Sequence, residues 1–428
     1  MKVGSTRGAV VDLPLADALL RGTAPDGGLY VPSRLARGEV HAPGAPTLRA
    51  SALAVLSPFF AGDRLEPALE EMVAEAFTFP APLVPLHGPG DLVLELFHGP
   101  TAAFKDFGAR FLAACVRRLH LPGSPIRTVL VATSGDTGGA VAAAFHRMPA
   151  VRVVLLYPDG RVSPRQAHQL GAFGDNVTAL RITGTFDDCQ RMVKAAFADA
   201  MLAALQLTSA NSISLGRLLP QLAYHAYAAW SSGGTLNMVV PTGNLGNALA
   251  AVWARELGAP IGDIVLATNA NPTLTEYWAS GAYRGRPSIS TLANAMDVGD
   301  PSNFERLVWT FPDPAALRGA VRARAASDAE ISRTIREGER RHGQVFCPHT
   351  AAGVHVLEQL RAEGARGTWA VAATAHPAKF EGTVEPLVGH PVAVPRALSE
   401  LLARPAHAEA LPADPAALRH WLLHHAGG

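Results

Sequence analysis

The chain has 428 residues, 48% of them hydrophobic, and a formal net charge of +1, enough apolar content to bury one large or two moderate cores. A near-neutral chain without runs of like charge excludes a nucleic-acid coating surface or a polybasic arm. Three widely spaced cysteines (Cys115, Cys189, Cys347) in no metal or redox spacing, Asp12 and Asp17 interrupting the first apolar stretch, and no uncharged run of membrane-spanning length point to a cytoplasmic protein with buried thiols, no membrane and no metal.

In chain order, LADALLRG and the segment 48–77 read as helices, with DGGLYVP a turn running into a short strand. DLVLELF reads as a strand, and residues 105–119 as a helix stopped by Pro122-Gly123. RTVLVAT leads through SGDTGG into the helix VAAAFHRM; VRVVLLYP and NVTALRIT are strands, each followed by a helix, over 164–173 and 187–202. LGRLLPQLAYHAYAAW is a helix with a kink expected at Pro220. TLNMVVPT meets GNLGN and the helix ALAAVWAREL, and DIVLATN and TWAVAAT are further strands. Short β-branched runs alternating with longer amphipathic ones predict an α/β fold of βαβ units around parallel-rich sheets covered on both faces.

Lysine is rationed. Only Lys2, Lys105, Lys194 and Lys379 occur, the other 33 of 37 basic residues being arginine. Lysine can release its proton and condense with a carbonyl where arginine can do neither, so Lys105 in FHGPTAAFKDFGAR is a candidate for covalent chemistry. Two glycine-rich strand-to-helix turns, TSGDTGGA and PTGNLGNA, offer backbone N–H groups at helix N-termini, where an anion is favoured. Neither has the Walker lysine or the dinucleotide G-x-G-x-x-G spacing. A third turn, ATAHPAKF, closes a strand with Thr374, an uncharged hydroxyl. A phosphate site, an imine-forming lysine and a neutral hydrogen-bonding partner together suit pyridoxal 5'-phosphate. At the C-terminus, His420 and His424 lie one helical turn apart without a third ligand, which favours a solvated helix over a zinc site.

These motifs, with STRG, APDGGLYVP and NAMDVGDPSNFER, resemble those of threonine synthases over nearly the whole chain. The resemblance implies a tryptophan-synthase-β-like (fold type II) pyridoxal-phosphate enzyme with an N-terminal, mostly helical extension. It also implies conversion of O-phospho-L-homoserine and water to L-threonine and phosphate. By motif match, Lys105 corresponds to the Schiff-base lysine and Thr374 to the partner of the pyridine nitrogen. Gly243, Asn244, Leu245, Gly246 and Asn247 correspond to the cofactor phosphate loop, with Leu245 where an aromatic is common. Ser134, Asp136 and Thr137 match the loop near the substrate carboxylate and the cofactor's 3′ oxygen. In ANSISLGRLLPQ, Asn211, Ser212 and Arg217 are kept, while Ser214 and Leu215 replace an Asn and a Trp. Arg217 and Arg110 are candidate holders of the substrate phosphate, because a guanidinium fork matches phosphate oxygens.

The expected divisions are a mostly helical N-terminal domain at 1–92, an α/β domain with the lysine and substrate loops at 93–240, and a second with the phosphate loop and Thr374 at 241–395. A helical tail at 396–428 completes the chain, which is expected as a monomer or homodimer. Two other readings remain at this point. One is a related phospho-lyase that releases 2-oxobutyrate or takes another phospho-amino acid; the other is a non-catalytic sensor of pyridoxal phosphate.

Overall fold

The computed structural model describes residues 1–121 and 123–425; Pro122, expected to help stop the preceding helix, lies outside them. The strands are, in chain order, β1 (Lys2–Ser5), β2 (Leu13–Pro14), β3 (Tyr30–Pro32), β4 (Leu83–Pro85), β5 (Asp91–Glu95), β6 (Arg127–Ala132), β7 (Val151–Pro158), β8 (Val177–Thr183), β9 (Leu236–Pro241), β10 (Ile261–Thr268), β11 (Arg322–Ala325), β12 (Thr368–Ala373) and β13 (Glu409–Pro412). They form a three-stranded antiparallel sheet near the N-terminus, a six-stranded sheet β11-β10-β9-β12-β5-β4 and a four-stranded sheet β13-β8-β7-β6. Apart from antiparallel β4, the two larger sheets are parallel. Helices cover them, and apolar clusters fill both faces of each, as parallel sheets require.

Sheet membership cuts across the division expected from the sequence. Strands β4 and β5 join the sheet built by β9–β12, so the large sheet draws on residues on both sides of the helix Lys105–Leu119. The expected helical tail holds the helices Arg396–Leu402 and Pro415–His425, but also β13, which pairs in parallel with β8. Two expected helices are broken. The segment 48–77 divides into Leu48–Phe60 and Leu69–Ala76, because Gly62 takes φ +72° and the Asp63 carboxylate accepts from Ala16 N and Leu65 N at 3.0 Å each. Pro220 separates Leu215–Leu218 from Gln221–Ser231, since it has no N–H to continue the ladder.

The helix Lys105–Leu119 follows β5, and Asp136–Phe145 follows β6 directly. Gly246–Leu257 follows β9, and the short turn Pro377–Phe380 follows β12. Parallel strands feeding helices put all these loops at the carboxyl ends of the two larger sheets, where open α/β folds bind ligands.

Candidate active site

Between those carboxyl ends lies a cavity of ≈ 1490 Å³. From the smaller sheet it is lined by Ser134, Asp136 and Thr137; from the larger, by residues 241–247 and Thr374; between them stand Lys105, Asn211, Ser212 and Arg217. Every sequence-derived site residue reaches this cavity except Arg110. The Arg110 guanidinium instead donates to Glu75 O at 2.6 Å, Ala76 O at 3.3 Å and Thr78 Oγ1 at 3.2 Å, closing the C-terminal end of the helix Leu69–Ala76. The reason is helical geometry: five residues past Lys105, a side chain points about 140° round the helix.

Lys105 opens its helix with its side chain 13% exposed and Nζ 3.9 Å from Asp136 Oδ2. The loop before it is rigid: the buried Asp106 carboxylate accepts from Thr101 N at 2.9 Å and Thr101 Oγ1 at 2.6 Å, and Phe104 N donates to Thr374 O at 2.8 Å. That last bond ties the lysine loop to the end of β12. Burial, with Lys379 and Arg217 adding repulsion, pushes the Lys105 amine down to about 8 against the pull of Asp136. Lys379, the only other lysine in a matched motif, is 1% exposed and held by two protein oxygens: its Nζ lies 2.8 Å from Asp136 Oδ1 and donates to Thr101 O at 2.7 Å. It does not line the cavity.

The turn 241–247 is set by two backbone constraints. Leu245 takes φ +63°, a left-handed conformation that a branched residue adopts only when its surroundings enforce it, and its side chain is fully buried. Gly243 has no room for a side chain: a Cβ there would lie 2.8 Å from Met296 Cα. Asn244 donates to Ser212 Oγ at 2.8 Å and accepts from Ser302 N at 2.6 Å, while its carbonyl takes Asn303 Nδ2 at 2.8 Å. Behind Asn303, the buried Arg306 guanidinium bonds Asn303 Oδ1, Tyr30 O and Ile213 O at 2.7–3.0 Å. The segment 294–306 therefore braces the turn, the strand β3 and the stretch 211–213 together.

Three helices elsewhere begin with a Ser or Thr capping box, at Ser163, Thr185 and Ser327. Gly246–Leu257 begins at the cavity with no side chain capping it. At Asp136–Phe145 the Thr133 hydroxyl takes Gly138 N at 2.8 Å, and no side chain of the cap residue Gly135 is there to serve the rest. Around the same cavity Asn211 Oδ1, Asn247 Nδ2, Asn294 Oδ1 and Arg217 Nε are buried without a protein partner. Each such atom costs about 1–3 kcal/mol when left unpaired, so polar groups concentrated here fit a polar, anionic ligand such as pyridoxal phosphate.

Sequence reasoning missed several supporting groups. Tyr224 Oη at 2.7 Å and His225 Nε2 at 2.9 Å both donate to Asn247 Oδ1, orienting its amide; both sit mid-helix and read as core. His349 Nε2 accepts from Ala295 N at 3.1 Å, and burial pushes that imidazole down to about 4. Leu215 is 2% exposed in the apolar core and does not line the cavity.

The parallel sheets, the cavity at their carboxyl ends and the buried lysine define a pyridoxal-phosphate-dependent enzyme of fold type II. The family described as "Pyridoxal-phosphate dependent enzyme" matches residues 76–375, flanked by "Threonine synthase N terminus" over 2–77 and "Threonine synthase, C-terminal" over 350–421. The threonine synthase of Escherichia coli (strain K12) is 39% identical over 376 residues, covering 87% of this chain and 86% of that protein. The crystal structure of threonine synthase from Escherichia coli superposes with a TM-score of 0.89 at 36% identity, covering 99% of this chain and 100% of that one. A pyridoxal-phosphate-bound threonine synthase from Brucella melitensis gives 0.87 at 37% identity, with both chains fully covered. The chain belongs to the threonine synthase family.

Proposed function

We propose that the chain converts O-phospho-L-homoserine and water to L-threonine and phosphate, with Lys105 as its covalent and proton-transferring residue. The carrying observation is a solvent-poor lysine that lines the same cavity as the glycine-rich turn 241–247 and Thr374, its loop tied to the end of β12 by the bond from Phe104 N to Thr374 O. Lys105 Nζ would hold the cofactor covalently, the backbone donors of 243–247 would take its phosphate, and the Thr374 hydroxyl would meet its ring nitrogen without charging it. When bound, pyridoxal phosphate supplies a carbonyl for the substrate amine and a conjugated ring that spreads charge from Cα.

Lys105 Nζ, as a free amine beside the substrate, would take the proton from Cα and pass it on before taking one from Cβ; as the ammonium it would then give one to Cγ, which becomes the methyl group, and one back to Cα. An amine brought down to about 8 is in part free base at neutral pH, which suits it to this work. Arg217, with Nε unpartnered, holds the departing phosphate, and Asn211 and Ser212 line the same end. Ser134 and Thr137 bind beside the substrate carboxylate. The chain is expected to act as a cytoplasmic monomer or homodimer that binds no nucleic acid; its formal net charge of +1 disfavours a surface that coats nucleic acid. Among the described residues no helix is long and apolar enough to cross a membrane.

Product analysis with O-phosphohomoserine in heavy-oxygen water tests the assignment. Threonine carrying one label on its hydroxyl is expected. Mostly 2-oxobutyrate and ammonia would replace this reading with the phospho-lyase, and unlabelled threonine would overturn the addition of water at Cβ.

A further inference from the structure

Asp136 sits at the cavity with a fixed orientation. Its Oδ1 is taken by Lys379 Nζ at 2.8 Å and by Gln166 Nε2 at 2.9 Å, which leaves Oδ2 facing Lys105 Nζ at 3.9 Å. The three side chains are 4%, 1% and 13% exposed, so water screens their charges weakly. A carboxylate cannot bind a substrate carboxylate, because like charges at contact repel. Nor does Asp136 cap its own helix, since Thr133 supplies that contact. The 3.9 Å gap to Lys105 is too long for a hydrogen bond, yet well within Coulombic range at low dielectric.

We propose that Asp136, locked by Lys379, is a positioning residue that sets the charge state of the freed Lys105 amine. This rests on the proposed role of Lys105. One oxygen of Asp136 favours the ammonium, while the second ammonium, Lys379, spends most of that attraction and keeps the Lys105 proton removable. Charged and titratable groups face Lys105 from four elements: Asp136 from its helix, Lys379 from the turn Pro377–Phe380, Arg217 from Leu215–Leu218 and His349 from the helix Pro348–Ala362. His349 is neutral, because its Nε2 accepts from Ala295 N and has no room for a proton. Asp136 keeps its negative charge: burial opposes it, but the Lys379 and Lys105 ammonium groups, with the hydrogen bond from Lys379, hold its carboxyl below the usual range. Lys379 is anchored in turn by Ser163 Oγ, which donates to its carbonyl at 2.7 Å. The cluster thus joins both larger sheets to the reactive amine.

The test titrates Lys105 in the full-length chain freed of cofactor, by cyanate carbamylation across pH about 6 to 11 with the Lys105 peptide quantified by mass spectrometry. Near-ultraviolet circular dichroism checks that each variant is folded. The wild-type midpoint is expected near about 8. In Lys379→Met the like charge is gone and Asp136 is uncompensated, so the midpoint rises by about one unit and labelling at neutral pH slows roughly tenfold. In Asp136→Asn/Lys379→Met both charges are gone, and the midpoint falls below that of the wild type. If Lys379→Met does not fold, the double variant decides alone. An unmoved midpoint in a folded variant overturns the proposal and leaves the pair as a strut between sheets. A borohydride-trapped cofactor adduct on another residue would instead sink the role given to Lys105, a separate outcome from the titration.

Discussion

Lys105 and Lys379 lie on either side of one carboxylate, and their surroundings give them different work. Lys379 spends its donors on Asp136 Oδ1 and Thr101 O, whereas Lys105 touches Asp136 only at 3.9 Å and faces the cavity. Lys105→Ala should therefore abolish the borohydride-trapped adduct while leaving weak, non-covalent binding of pyridoxal phosphate; an adduct persisting in that variant would transfer the role to Lys379. The two candidate arginines separate in the same way. Arg217→Ala removes a charged donor at the cavity and should lower kcat/KM roughly 10- to 150-fold, the worth of about 1.5–3 kcal/mol. Arg110→Ala breaks three bonds at the C-terminal end of the helix Leu69–Ala76 and should lower stability by about 1–3 kcal/mol with KM little changed. Steady-state kinetics and urea denaturation of both variants read the contrast; a raised KM in Arg110→Ala would contradict it. From sequence the arginines looked alike, because residue type gives charge and fork geometry but not the direction a helix turns them.

At the scale of the element, the glycine-rich turn 241–247 was legible and its brace was not. PTGNLGNA announces itself by glycine and by position after a β-branched run. What holds it is remote: Ser302 N, Asn303 Nδ2 and the backbone of Met296 press on it from a segment some fifty residues later in the chain. Gly243→Ala should thus act through Met296. A Cβ 2.8 Å from a backbone carbon must displace one of the two loops, at about 1–3 kcal/mol, so cofactor affinity should fall roughly 5- to 150-fold. Equilibrium titration with pyridoxal phosphate, followed by its imine absorbance, measures this, and unchanged affinity would mean the 294–298 segment yields freely. Helices whose signals are local were readable, such as Lys105–Leu119 and Gly246–Leu257. Of the broken ones, the interruption at Pro220 was marked by its missing N–H, whereas the break at Gly62 needed the tertiary contact of Asp63 with Ala16 N.

Across the whole molecule, strand partners come from far apart: Asp91 pairs with Trp369 and Leu180 with Glu409. Local periodicity marked β3, β5–β10 and β12 but missed β1, β2, β4, β11 and β13, which are two to four residues long and too short to show a period; it carries no record of a strand's neighbour, so the fold class was readable and the sheet order was not. The same long-range assembly buries two histidines that must stay neutral. His225 Nε2 is engaged by Asn247, and its Nδ1 is buried with no acceptor for a second proton. His349 Nε2 already accepts from Ala295 N. Burial pushes both from 6.5 down to about 4. Between those values the unfolded chain takes up protons that the fold refuses, so stability is full above the ordinary histidine value and is lost as pH falls toward 4. The loss is on the order of 3 kcal/mol for each histidine, an upper figure because the fold can relax. Both partners, Asn247 and Ala295, line the cavity, so acid should loosen the site before the outer sheet edges. Urea denaturation from pH about 7 down to 4 should register a steep fall in wild-type stability, a shallower one in His225→Gln, and a shift of the fall to lower pH with saturating pyridoxal phosphate. Equal slopes in wild type and His225→Gln would mean that the His225 ring accepts its second proton within the fold.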